Sequence, residues 1–168
     1  MTDPDHFGAL KPQLYTDAER QRRDSSPWTL VQGILAPVQF LIFLVSLALV
    51  LRTLMTGEGA FAAHLSILAK TLALYTIMIT GALWEKDVFG QYLFAPAFFW
   101  EDVVSFGVIA LHTLYLAGLI FGLMDDRALF IITLFAYATY VVNAAQFLLK
   151  LRAARLSAPA SRQAEALT

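Results

Sequence analysis

The chain has 168 residues, 58% of them hydrophobic and 15% charged, with a formal net charge of −1 and a mean hydropathy of +0.63, a balance that excludes an ordinary soluble domain and implies an integral membrane protein. It contains no Cys, so disulfide frameworks, zinc fingers, iron–sulfur clusters and thiolate nucleophiles are excluded. The near-zero net charge, with most basic residues toward the termini, excludes nucleic acid as a partner.

Residues 1–29 are polar and lack the short basic and apolar regions of a cleaved signal peptide, so the mature chain is expected to begin at Met1. Within them "TDAERQRRD" can form a short interfacial helix. Four windows then follow that are long and apolar enough to cross a hydrocarbon core: 30–55, 60–84, 102–124 and 128–151. They predict an all-α, four-helix transmembrane bundle over 30–152 and a C-terminal tail over 153–168 that is disordered or lies on the surface. "TGEG", "GQYLFAP" and "MDD" separate the windows, and the short first and last connections make neighbouring helices antiparallel.

Orientation follows from Lys and Arg near the span ends. Lys11, Arg20, Arg22, Arg23, Lys86, Lys150, Arg152, Arg155 and Arg162 share one side, against Arg52 and Arg127 on the other. Both termini and the central loop are therefore expected in the cytoplasm.

Polar side chains inside a span are costly and mark candidate sites. Gln32, Gln39, Ser46 and Thr53 recur every seven residues on the first span. On the third, Glu101, Ser105, Val108, His112 and Tyr115 share a face. Lys70, Leu74, Ile77, Gly81 and Glu85 do so on the second, and Tyr140, Asn143, Gln146 and Lys150 on the fourth. These faces are expected to meet around a cavity open to the cytoplasmic leaflet, with Lys70 and His112 near mid-membrane. Plainer readings stand beside this one. Gln32, Asn143 and Gln146 serve equally well as interhelical hydrogen-bonding groups. Glu85 and Asp102 fit an ion pair and an N-cap, and a lone His112 is as well explained by structure.

The central loop, "WEKDVFGQYLFAPAFFWED", gathers four carboxylates and seven aromatic rings into nineteen residues. Its rings, Trp84, Tyr92 and Trp100 among them, form either an interface belt or the cover of a flat apolar ligand. Three scattered histidines without a repeated Glu-x-x-His pattern support no metal centre of the protein's own, and phosphate-loop, dinucleotide and Ser-His-Asp signatures are absent. An acid-rich, amide-lined setting suits protonation and water addition without a cofactor.

"SPWTLVQGILAPVQFLIFLVSLALVLR", "LYTIMITGALWEKDVFGQYLFAPAFFWEDVVS", "ALHTLYL" and "FAYATYVVNAAQFLLKLRAARL" together resemble the vinyl (bacterio)chlorophyllide hydratases over about residues 14–156. The resemblance implies hydration of the C3-vinyl group of chlorophyllide a or 3-vinyl bacteriochlorophyllide a to a 1-hydroxyethyl group. It also implies a phototrophic bacterium, a cytoplasmic or intracytoplasmic membrane with its lipid, and neighbouring pathway enzymes. For that reaction Glu101 is the expected acid, with Glu85 or Asp102 as the base that aligns water. Gln39, Asn143 and Gln146 are expected to hold water or a keto group, Trp84, Tyr92 and Trp100 to receive the macrocycle, and His112 either to ligate its magnesium or to be structural. Lys86, Lys150 or Arg152 would meet the free propionate at the rim. Two other classes compete: a non-catalytic pigment carrier or assembly factor, which would not need the carboxylates, and a small transporter, which needs a polar path through both halves of the membrane.

Overall fold

A computed structural model describes residues 14–165, with side chains to Ala154. Lys11 and His6 lie outside the described residues, as do the side chains of Arg155 and Arg162. Five helices follow in order: α1 (Asp17–Ser25), α2 (Pro27–Thr56), α3 (Ala60–Phe89), α4 (Phe99–Ile120) and α5 (Asp126–Glu165). No strand occurs among the described residues. The four long helices are each apolar enough to cross a membrane.

Local sequence sets the boundaries. Thr16 and Glu19 form a reciprocal capping box that starts α1, the short helix expected in the polar segment. Pro27 opens α2 at a position where its missing N–H costs nothing. Gly57 and Gly90, both left-handed, end α2 and α3. The second span therefore runs five residues past its expected end, and the connection shrinks to residues 90–98. The third span ends four residues before 124, because Gly122 turns left-handed and lets the Leu123 N–H bond back to the Gly118 carbonyl. α5 runs on past the fourth expected span to Glu165, through a segment rich in Ala, Arg and Leu, all strong helix formers.

Two helical hairpins, α2/α3 and α4/α5, are each closely packed, and they meet along a sparser seam where α3 faces α4 and α2 faces α5. A Cβ on Gly118 would stand 2.8 Å from Leu129 Cδ2, so a larger residue there would have to push the buried Leu129 side chain aside where α4 approaches α5. The interior is layered. Val50, Ala63, Ile67, Tyr115, Leu129 and Phe130 pack at the far end, and Phe43, Leu74, Val108, Ala136, Tyr137 and Tyr140 in the middle. Tyr15, Val88 and Phe98 pack at the end that carries the 90–98 connection, called the loop end below. Large apolar side chains such as Leu41, Leu72 and Phe135 point outward and stay exposed. That outward apolar surface fits a lipid environment.

Candidate functional site

The polar faces anticipated from sequence do meet inside the bundle. Gln39, Ser46 and Thr53 of α2, Lys70 and Glu85 of α3, Glu101, Asp102, Ser105 and His112 of α4, and Asn143 of α5 are all buried. Gln32 stays half-buried and donates to Thr80 Oγ1 at 2.7 Å. The candidate residues pack against one another and do not face an open cavity, since Glu85, Asp102, Glu101 and His112 are 4, 3, 5 and 1% exposed. Among the described residues, a concave surface lies instead along α1, beside Asp17, Arg20, Gln21, Asp24 and Ser25.

The loop end holds two carboxyl arrangements. In the first, the chain turns back after Gly90 and brings two successive amides onto two acids. Phe94 N–H donates to Asp102 Oδ2 at 2.7 Å, and Ala95 N–H donates to Glu85 Oε2 at 3.1 Å. The two acids are electrostatic neighbours. Phe94 reaches this geometry at φ +60°, the only non-glycine residue with positive φ among those described, a conformation that costs about 1–3 kcal/mol. Its ring stacks on Phe106 at 5.4 Å, which offsets some of that cost. In the second arrangement Lys150 Nζ lies 2.5 Å from Glu101 Oε2 and also donates to the Ala97 carbonyl. Glu101 is thus held in an ion pair.

The rings of this region divide into two groups. Trp84 donates its indole N–H to Thr29 Oγ1 at 2.9 Å and packs edge-on against Phe98 and Phe89. Phe98 stacks in turn on Phe147. Tyr92 and Trp100, by contrast, are 57 and 67% exposed at the surface of the loop end. They cover no internal space.

Deeper in the seam, polar atoms lack partners among the described residues. Asn143 donates to Ser105 Oγ at 2.7 Å, yet its Oδ1 is unpaired, as are Gln39 Oε1 and Gln146 Oε1. His112 Nδ1 contacts the Val108 carbonyl at 2.8 Å. A carbonyl only accepts, so the ring proton belongs on Nδ1, and the buried, unpartnered Nε2 presents a lone pair. Lys70 Nζ, likewise buried and unpartnered, sits 3.5 Å above the Tyr140 ring.

Sequence reasoning did not find the polar group at the far end. His64 Nδ1 meets the Tyr115 hydroxyl at 2.7 Å, and its Nε2 lies 3.1 Å from Asp126 Oδ1, too far off line for a hydrogen bond but within ion-pair reach. The signal was available in sequence, as His64 and Tyr115 are polar groups at matching depth on antiparallel spans. Among the described residues, no three His, Asp or Glu side chains cluster as a metal site.

A family model described as 2-vinyl bacteriochlorophyllide hydratase matches residues 15–153. A relative of that name from Rhodobacter capsulatus is 71% identical over 145 residues, which cover 86% of this chain and 84% of the relative. Another of the same name, from Cereibacter sphaeroides, is 65% identical over 150 residues, covering 89% of this chain and 93% of the relative. No solved structure matches the chain.

Proposed function

The chain belongs to the 2-vinyl bacteriochlorophyllide hydratase family, and on that premise we propose that it adds water to the vinyl group of chlorophyllide a or 3-vinyl bacteriochlorophyllide a, using the Glu85–Asp102 pair. It is a hydro-lyase of bacteriochlorophyll synthesis. The vinyl position written as 2 in the relatives' names is C3 in current numbering. One observation carries the mechanistic reading: the successive Phe94 and Ala95 amides, set by a strained backbone, hold two neighbouring buried carboxyl groups. Strain of this kind is retained where a geometry is needed for function.

The chemistry runs in two steps. One acid of the pair, protonated, gives its proton to the terminal vinyl carbon; the π bond opens and leaves a cation on the carbon attached to the macrocycle, where the conjugated ring delocalises it. Water then attacks that carbon, and the carboxylate just formed takes the surplus proton. The cycle ends with the pair restored and one water added. Two neighbouring carboxyls suit this work because one favours the protonated state while the other is ionised.

Glu101, the acid expected from sequence, is better suited to another role. A carboxylate whose charge is matched by Lys150 is a poor proton donor, and the pair instead fixes α5 against the start of α4 and the connection before it. Gln39, Asn143 and Gln146 offer unpaired carbonyl oxygens that suit a bound water. His112 offers Nε2 to the magnesium of the pigment, supported by the tautomer that Val108 imposes. Trp100 and Tyr92, exposed where the bundle meets the interface, suit the first contact of an arriving macrocycle with the protein, while Trp84 holds α3 to α2. The excess of Lys and Arg at the loop end and termini supports a cytoplasmic or intracytoplasmic membrane location with that end in the cytoplasm, in contact with lipid and neighbouring pathway enzymes.

The test is direct. The purified chain is incubated with 3-vinyl bacteriochlorophyllide a without added cofactor, and the pigment is resolved by chromatography and mass. A product heavier by one water, lost in Glu85→Gln and Asp102→Asn but largely retained in Glu101→Gln, supports the assignment. Loss confined to Glu101→Gln would return the acid role to that residue.

A further inference from the structure

Glu85 and Asp102 are almost wholly buried, so a vinyl group, an arm on the edge of its macrocycle, reaches them only when whatever covers them moves. The cover is the chain between Gly90 and Ala95, whose last two amides bond directly onto the two acids.

We propose that residues 91–94 are a lid over the carboxyl pair, pivoting at Gly90 and Ala95, which lifts to admit the vinyl edge of the pigment and then closes. The inference rests on the catalytic reading of Glu85 and Asp102 above and names the element that admits substrate to them.

The connection is held very unevenly along its length. Beyond the lid, the Ala97 carbonyl accepts from Lys150 Nζ, and the buried Phe98 ring packs between Trp84 and Phe147. That half is anchored. Within the lid, Gln91, Tyr92 and Phe94 are exposed, and the Gln91 side chain donates to the Leu93 carbonyl of the lid itself at 3.1 Å. The lid is therefore joined to the bundle by few side chains.

Both pivots suit a hinge. Gly90 sits at φ +84° with nothing within 4 Å of where its Cβ would stand, while Lys86 Nζ holds its carbonyl at 2.8 Å to the end of α3. At the other pivot the Ala95 carbonyl accepts from Phe98 N–H at 2.8 Å, so rotation about φ of Ala95 swings the 94–95 peptide away and leaves that bond intact. One such movement withdraws the amides from both acids.

The latch is equally local. Phe94 stacks on Phe106 with ring centroids 5.4 Å apart, and both rings lie at the outer surface of the bundle. Phe94 also carries the positive φ of +60°, and that strain is relieved when the lid lifts. Two amide bonds and one ring stack thus hold a strained segment shut.

The first measurement is amide hydrogen exchange, resolved by residue, on the purified full-length protein in detergent. The Phe94 and Ala95 amides are expected to exchange at least about tenfold faster than those of Gly90 and Asp102, which bond to the Lys86 and Phe98 carbonyls on either side. Phe106→Ala is expected to raise exchange at Phe94 and Ala95 by a further threefold to tenfold or so, the effect of losing one stacked ring pair, and to leave Gly90 and Asp102 unchanged. Equal rates at all four amides in the wild type, or no selective rise in the variant, overturns the lid.

The second measurement locks it. The chain has no Cys, so Phe94→Cys with Phe106→Cys provides a unique pair for a short, reducible bis-methanethiosulfonate. Bridging is expected to slow association of 3-vinyl bacteriochlorophyllide a, followed by its absorption shift, at least about tenfold, with recovery on reduction. Association at the same rate before and after bridging overturns the inference. If the double variant fails to fold, the exchange rates decide. Exchange needs no pigment, so its failure strikes the lid and leaves the hydratase reading standing, whereas normal exchange without hydration strikes the catalytic reading.

Discussion

The two buried polar regions of this bundle differ in how fully they are satisfied. At the loop end each buried acid has its partners: Glu85 the Ala95 amide, Asp102 the Phe94 amide, and Glu101 the Lys150 ammonium. At mid-depth Lys70 Nζ, His112 Nε2 and Gln39 Oε1 have none among the described residues. A buried polar atom left without a partner carries a cost that folding alone does not recover. The difference separates a region whose buried polar groups the chain satisfies by itself from one where it leaves several of them unpaired among the described residues.

The largest expected effect breaks the completed region. Glu85→Gln and Asp102→Asn should each lower turnover about 10²–10⁴-fold, the usual contribution of positioned acid–base groups, with helix content by circular dichroism unchanged. An isosteric amide that retained full turnover would end the pair's catalytic assignment. Next comes Lys150→Met, which strands Glu101 in a site where its side chain is 6% exposed. It should lower stability by about 3 kcal/mol, read as a fall in Tm in detergent, and adding Glu101→Gln should recover most of the loss because no unpaired charge then remains.

A smaller effect tests the strained backbone. Phe94→Val, a β-branched residue forced to positive φ, should cost about 1–2 kcal/mol and lower turnover roughly tenfold by displacing two amides. Phe94→Gly adopts that φ freely and should be affected less. At the far end, His64→Phe removes contacts to Tyr115 and Asp126. It should cost about 1 kcal/mol in stability and leave turnover unchanged, so lost activity would tie the two ends of the bundle together.

The smallest effect lies outside the membrane spans. Burial holds the Tyr15 hydroxyl above its ordinary pKa of 10.0, with the neighbouring Arg23 charge offsetting some of the shift. The neutral phenol is the form that packs against Phe89 and Phe98. Its contribution to docking α1 is therefore full below pH 10 and is lost as pH rises through 10 toward the higher folded value. Tyr15→Phe should behave like the wild type at about pH 8 and lack this alkaline loss, measured as Tm against pH.

The four spans were legible because each is an uninterrupted apolar run of membrane length, and the buried faces were legible because polar residues recur at helical spacing on them. All five residues assigned to one face of the third span, Glu101, Ser105, Val108, His112 and Tyr115, are buried in the bundle. Membership of the hydratase family was legible too, in the long run from Trp84 to Asp102. Periodicity says which side of a helix turns inward, but it does not say which inward groups touch. The sequence alone therefore could not reveal that Glu101 finds Lys150 forty-nine residues away, or that Phe94 is turned to a positive φ. Nor could it show that the exposed rings Tyr92 and Trp100 lie apart from the packed Trp84. Those outcomes depend on how two hairpins dock and where a nine-residue connection folds back. Distances of 2.5–3.1 Å between groups on different elements are fixed by that docking, and tertiary packing alone decides it.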